Sequence, residues 1–329
     1  MRILVYDVME FEKEILKKIA SQTSDELVCK EFHLTMDTVF QAEGFDGVSV
    51  LGHSQVTEDI LEKIKEYGIT QLSTRTIGFD HIDVKKAKEL GIHVSHANYE
   101  PNNVADFTVM MMLILLRKAK ISICRALVND FSLDGIQGRE VRNLTVGVIG
   151  TGKIGATVIK NLSGFGCKIL AYDLYKNPNI EGIAEYVDLD VLYRESDIIT
   201  LHTPLTEDNY RMIDKETISK MKKGVILINT ARGGLINTDD LIEALETEYI
   251  GGAGIDTLEE EAGIIHIRVG TGIVKNRQLL YLKQFPNVLF TQHYAFYTEE
   301  ATESMVRCGI ESIQNGINGC PNPCEIIIK

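Results

Sequence analysis

Apolar residues in this chain fall into short runs of four or five, separated by longer amphipathic stretches. The runs at 3–6, 27–31, 47–51, 71–74 and 92–95 have the length and β-branched content of buried strands. Between them, 10–20, 57–67 and 84–90 repeat apolar positions at helical spacing, and Gly91 fits the cap ending the last of these. Strands alternating with helices predict a small parallel sheet flanked by helices. A second series begins at Leu144, with strands predicted at 145–149, 168–172, 186–187, 198–201, 225–229, 252–255 and 288–291. That is the pattern of a doubly wound sheet. A final helix, 299–315, is predicted to return the chain to the first domain.

The two series meet at Tyr99-Glu100-Pro101-Asn102-Asn103, where the alternation breaks. Asn102 or Asn103 is expected to cap a helix at 104–118. That helix is apolar almost all round, with Phe107 and an unbroken run from Val109 to Leu116. A helix without a polar face must be covered on every side. Burial between two subunits explains this better than burial within one domain, so a homodimer through this helix is expected.

With 329 residues, the chain has room for two cores. Its 34 basic and 47 acidic residues give a net charge of −13, which argues against nucleic acid or an anionic membrane surface as partner. The six cysteines form no Cys-x-x-Cys or zinc-like cluster, so no metal is expected. Cys320 and Cys324, close together near the end, are expected to be reduced thiols. Met1-Arg2 leads directly into an expected strand, so no signal peptide is expected, and the longest apolar run is too short to span a bilayer. A cytoplasmic protein is expected.

The chemistry begins at Gly150-Thr151-Gly152-Lys153-Ile154-Gly155, a G-x-G-x-x-G turn between a strand and a helix. The first glycine permits the turn, the second admits a pyrophosphate to the backbone, and the third seats the helix on its strand. The helix N-terminus, at Lys153 and Ile154, would face the phosphates. The next strand ends in Asp173, 18 residues beyond Gly155, where an acid would accept the ribose hydroxyls and repel a 2′-phosphate. Leu174 and Tyr175 follow instead of an arginine, which favours NAD(H). Four later strand ends carry reactive side chains: His202-Thr203-Pro204, Thr230-Ala231-Arg232-Gly233, Asp256 with its acidic run to Glu261, and Gln292-His293. Singly, each is more often a solvated or core residue. Together at successive strand ends of a dinucleotide fold, they point to catalysis.

With these residues in place, the chain resembles the D-2-hydroxyacid dehydrogenase family. The matching segments run in the family's order: Ser73-Thr74-Arg75-Thr76-Ile77-Gly78, Tyr99-Glu100-Pro101-Asn102, Val146 to Gly155, His202 to Thr206, Asn229 to Gly234, Asp256 to Glu261, and His293. It looks most like the D-lactate dehydrogenase branch, including vancomycin-resistance-type and aromatic-lactate enzymes. Glu261 and His293 stand 32 residues apart, matching that branch's insertion, and Tyr294 to Ala301 also fits it. Gln292 departs from the family, where proline is usual.

The resemblance implies two Rossmann-like doubly wound domains, the cofactor domain (100–297) inserted into a flavodoxin-like substrate domain (1–99 and 298–329). It implies NADH-dependent reduction of 2-oxo acids to (R)-2-hydroxy acids. Arg232 would bind the substrate carboxylate, and His293 would give the proton. Glu261 would orient the imidazole and keep it protonated. The backbone of Ile77 and Gly78 would take the other end of the carboxylate, with Leu51 and Tyr99 also at the substrate. Asp256 would stand near the nicotinamide, with His202, Thr203, Pro204, Thr230, Ala231 and His293 along the cofactor groove. Leu51 stands where many lactate-preferring relatives carry an aromatic ring, and no arginine or lysine lies near it for a second carboxylate. Larger apolar or aromatic side chains are therefore expected. The alternatives are a strict D-lactate dehydrogenase, an (R)-2-hydroxyglutarate dehydrogenase and, from a different class, an NADH-sensing binding protein. A formate-dehydrogenase-like enzyme is disfavoured, because that branch carries glutamine in place of Glu261.

Overall fold

The computed structural model describes residues 1–261 and 263–327. The chain divides into two compact units, Met1–Glu100 with Tyr297–Lys329, and Pro101–Phe296. Each is a parallel α/β sheet with helices around it, as the alternating pattern predicts. Among the described residues, no helix is long and apolar enough to cross a membrane.

In the first unit the strands are β1 (Arg2–Val5), β2 (Glu26–Cys29), β3 (Gly47–Val50), β4 (Gln71–Thr74) and β5 (His93–Ser95). Their order, β2-β1-β3-β4-β5, is flavodoxin-like, and the winding reverses between β1 and β3. β3 and β4 are buried at every position, which is why they read as runs instead of alternating. Helix Glu299–Asn318 packs on this sheet through its glycines. A Cβ on Gly316 would lie 2.0 Å from Gln71 Oε1, and one on Gly309 would lie 2.8 Å from Arg75 Cγ. The residues after this helix then pair with β5: Ile326 N donates to Val94 O, and His96 N to Cys324 O. This brings the Cys324 sulfur within 2.9 Å of Cys308, both as free thiols, while Cys320 is exposed. Burial pushes the Cys308 thiol up to about 12.

The strands of the second unit are β6 (Thr145–Ile149), β7 (Lys168–Tyr172), β8 (Glu185–Tyr186), β9 (Ile198–Leu201), β10 (Val225–Asn229), β11 (Ile250–Ile255) and β12 (Val288–Phe290). They are ordered β12-β11-β10-β9-β6-β7-β8, the dinucleotide-binding order with one added edge strand. Ile149 pairs with both Tyr172 and Leu201, so the carboxyl ends of β6, β7 and β9 are level.

The apolar helix spans Asn102–Leu116, two residues earlier than predicted at each end. Neither asparagine caps it. Pro101, already at helical angles, takes the cap position, and the Asn103 amide donates to Phe296 O (3.0 Å). Ala105, Val109, Met111, Met112 and Leu116 are buried in the unit's own core. Much of the missing polar face is thus explained within one chain, while Met110 stays exposed and Leu113 and Ile114 half-buried. Lys118 turns left-handed (φ 47°), and an unpredicted helix, Ala119–Leu127, follows with no buried residue.

A buried ion pair in the first unit joins Arg75 to Glu12, whose side chains are 0% and 1% exposed. Arg75 Nε donates to Glu12 Oε1 (2.7 Å) and Nη2 to Oε2 (3.1 Å), with Ser49 Oγ and Tyr6 O taking further bonds. Removing one partner strands a charge in the core. Glu12→Gln and Arg75→Met should each destabilise this unit by about 3–5 kcal/mol. Replacing both with leucine and methionine should cost much less, as read from urea unfolding midpoints of the full chain.

Candidate active site

The glycine turn after β6 separates structural from ligand-facing needs. Gly150 sits at φ 93°, and a Cβ there would lie 2.4 Å from His202 O. A Cβ on Gly155 would lie 1.9 Å from Gly150 O. Both must be glycine for the chain's own sake. A Cβ on Gly152 would meet no protein atom within 4 Å, so protein packing does not require that glycine. It is the N-cap of helix Lys153–Ser163, which has no side-chain cap and no acid in its first turn. These features fit a pyrophosphate at the helix N-terminus.

Asp173, just past β7, faces the same turn. Its Oδ2 accepts from Thr151 N (2.6 Å) and Thr151 Oγ1 (3.2 Å), and its Oδ1 from Tyr175 N (3.0 Å). A carboxylate has about four acceptor sites, so capacity remains for ribose hydroxyls. The nearest base in sequence, Lys176, lies over the Tyr186 ring at 5.6 Å. His202 ends β9, its Nε2 2.9 Å from Thr200 Oγ1. Part of this residue reaches solvent, yet desolvation of the ring pushes its pKa down to about 3, so it stays neutral. Thr203 is half-buried and Pro204 exposed beside it.

At the end of β10, Asn229 folds the next turn on itself, accepting from Ala231 N (3.0 Å) and donating to Arg232 O (2.8 Å). Thr230 Oγ1 lies 3.0 Å from Thr108 Oγ1, and Arg232 Nη1 donates to Ala231 O. Gly233 then presses against the segment after β11, where a Cβ would lie 2.1 Å from the carbonyl carbon of Leu258. Glu259 reinforces this contact. It accepts from Thr238 N and Oγ1 (2.9 and 2.7 Å) and from Arg211 Nε (2.8 Å). Burial alone would raise its pKa, but these bonds hold it below the usual carboxylate range.

Two residues on, Glu261 Oε2 accepts from Leu258 N (2.9 Å), while Oε1 lies 2.5 Å from His293 Nδ1. His293 itself sits at φ 53° in the turn after β12. Asp256, with no exposed surface, anchors that turn by accepting from Thr291 Oγ1 (2.6 Å), Tyr294 N (3.1 Å) and Ala295 N (3.0 Å). The second unit therefore gathers the Arg232 turn, Glu261, His293 and Asp256 at adjacent strand ends.

In the first unit, Leu51, Ile77, Gly78 and Tyr99 follow β3, β4 and β5. Among the described residues, the Ile77 and Gly78 N–H groups donate to no protein acceptor. Tyr99 is half-buried. Leu51 is 7% exposed, and its N–H donates to Asp7 Oδ2 (2.8 Å). Asp7 also bonds Ser54 Oγ (2.7 Å) and His33 Nδ1 (2.6 Å), with the His53 ring stacked on His33. The sequence reading missed this polar group behind Leu51. The available signal was an acid two residues past β1, at the sheet's reversal point. It also gave no role to Glu259, read only as part of the acidic run from Asp256 to Glu261. Among the described residues, no three metal-ligating side chains cluster.

Residues 109–295 match the family described as D-isomer specific 2-hydroxyacid dehydrogenase, NAD binding domain. The chain is 44% identical over 316 residues to the aromatic 2-oxoacid reductase of Clostridium sporogenes, covering 95% of this chain and 96% of that one. It is 36% identical over 326 residues to the D-lactate dehydrogenase of Escherichia coli, covering 98% and 99%. The solved structure of D-2-hydroxyisocaproate dehydrogenase superposes with a TM-score of 0.90 at 34% identity, covering 99% of both chains. On sequence, fold and site together, this chain belongs to the D-isomer specific 2-hydroxyacid dehydrogenase family of NAD-dependent oxidoreductases.

Proposed function

We propose that this protein reduces 2-oxo acids to (R)-2-hydroxy acids with NADH, using larger apolar or aromatic side chains at least as well as pyruvate. The 2.5 Å contact between Glu261 and His293 carries the reading, since it leaves the second ring nitrogen, Nε2, to exchange a proton with substrate. Arg232 holds the substrate carboxylate and polarises the 2-carbonyl, a bidentate task that suits its planar fork. A nicotinamide dinucleotide, when bound, would supply or accept the hydride. The Gly150–Gly155 turn and Asp173 hold the dinucleotide, and Asp256 keeps the histidine turn in place. Leu51, Ile77, Gly78 and Tyr99 are proposed substrate contacts, with the Ile77 and Gly78 N–H groups taking the carboxylate. The first unit is accordingly the substrate domain and the second the cofactor domain. The likeness to an aromatic 2-oxoacid reductase supports the side-chain preference. The cytoplasm is the proposed location.

A panel of pyruvate, 2-oxoglutarate, 2-oxoisocaproate and phenylpyruvate, with NADH and NADPH in parallel, tests this directly. Phenylpyruvate and 2-oxoisocaproate should match or exceed pyruvate in kcat/KM, and NADPH should serve poorly. Pyruvate far ahead of the others would make the enzyme a plain D-lactate dehydrogenase. NADH binding without turnover would make it a sensor.

His293→Ala should lower turnover by about two to four powers of ten while NADH still binds. Glu261→Ala removes the carboxylate that fixes the ring through Nδ1, so turnover should fall by about tenfold or more while NADH still binds. Turnover equal to the parent's would count against the pairing.

A homodimer is proposed through the exposed strip of helix Asn102–Leu116 (Met110, Leu113, Ile114) continued by Ile123, Leu127, Val128, Phe131 and Leu133, which are 62–81% exposed. Met111 faces the core, so a charge there would test folding instead. Sedimentation should give a dimer at micromolar concentration and a monomer for Leu127→Glu with Phe131→Glu. A monomeric parent protein would refute the arrangement.

A further inference from the structure

We infer that His266 is a positioning residue for the acid–base histidine, an inference that rests on the role proposed for His293. His293 occupies left-handed backbone at φ 53°, which side chains with a Cβ rarely adopt without support. The residue before it is Gln292, so no proline ring stiffens the turn.

Three groups hold this turn, and they act on different atoms. Asp256 accepts from Thr291, Tyr294 and Ala295, which fixes the flanks and, through Tyr294 N, the amide edge of the peptide that follows His293. Glu261 binds ring Nδ1, which sets the ring's direction once the backbone is placed. His266 Nε2 lies 2.8 Å from His293 O. Among the described residues, this is the hydrogen bond made to His293's own main chain. A carbonyl oxygen only accepts, so His266 carries its proton on Nε2 and donates.

The segment bearing His266 is tied to the same pair. Ile264 N and Ile265 N both donate to Glu261 O (3.1 and 3.2 Å), closing a turn just before His266. Residues 261 and 266 thus hold His293 at two places, the carboxylate on its ring and the imidazole on its carbonyl. The His266 ring also rests edge-on against Phe296, with centroids 6.0 Å apart. Without the N–H donor, the peptide after His293 keeps only its amide-edge bond to Asp256 and can tilt about it, and the ring swings about its bond to Glu261. Nε2 then samples a wider arc, and proton delivery slows, while the Gly150–Gly155 turn and the Arg232 turn are unaffected.

The test compares His266→Phe, which keeps a ring beside Phe296 but has no N–H, with His266→Gln, whose amide can donate at similar reach. Turnover and KM with phenylpyruvate, the solvent deuterium isotope effect on kcat, and NADH affinity by fluorescence are measured on the full chain, with His293→Ala alongside. His266→Phe should lose about tenfold or more in kcat. Its KM and NADH affinity should hold and its solvent isotope effect should rise, with His266→Gln restoring most of the rate. The inference is overturned if His293→Ala is inactive while His266→Phe turns over like the parent. It is also overturned if NADH affinity falls together with kcat, or if His266→Gln rescues nothing, since the ring is then only structural. Full activity in His293→Ala would overturn the underlying role of His293 and this inference with it.

Discussion

A carboxylate with no exposed surface, Asp256, is the constraint on which the second unit's chemistry depends. A buried charge is tolerable only when hydrogen bonds satisfy it, and here three donors from one turn do so. The donors stand on both sides of His293. Satisfying the charge and shaping the turn are therefore one event, and the left-handed backbone of the histidine is held by interactions that folding already requires. The pairing with Glu261 is added to a turn placed in this way.

A second constraint is steric. Gly150, Gly155 and Gly233 stand where a single added carbon would meet backbone at 2.4 Å or less. These contacts bring neighbouring strand ends closer than side chains allow. The single residue between Gly150 and Gly152 thus separates two kinds of need, protein against protein at the first and room for a ligand at the second.

The fold was largely legible because parallel strands buried on both faces appear as apolar runs, and such runs lead into the principal motifs. The strands 71–74, 145–149, 168–172, 198–201 and 225–229 were read to the residue. Helix ends were less legible. Pro101 begins the Asn102–Leu116 helix where an asparagine cap was expected, because proline's fixed φ already suits a helix start. Lys118 breaks the helix without glycine, so nothing local announced Ala119–Leu127. Of the residues proposed for the site, Gly150, Asp173, Arg232, Glu261 and His293 stood out in the sequence as strand-end motifs. Asp7, Glu259 and His266 did not, because each acts through partners at least 20 residues away in sequence, which spacing alone does not reveal.

Glu259 has a consequence for engineering. It joins Arg211, the start of helix Thr238–Glu246 and the backbone that Gly233 presses against. The segment after β11 is thus not an independent cassette. A loop transplanted there from a relative would arrive without its anchoring arginine and threonine unless those residues travelled with it. The smallest exchangeable module is a discontinuous set of three short stretches, around Arg211, Gly233 to Thr238, and Glu259, chosen by who touches the Glu259 segment and not by sequence continuity.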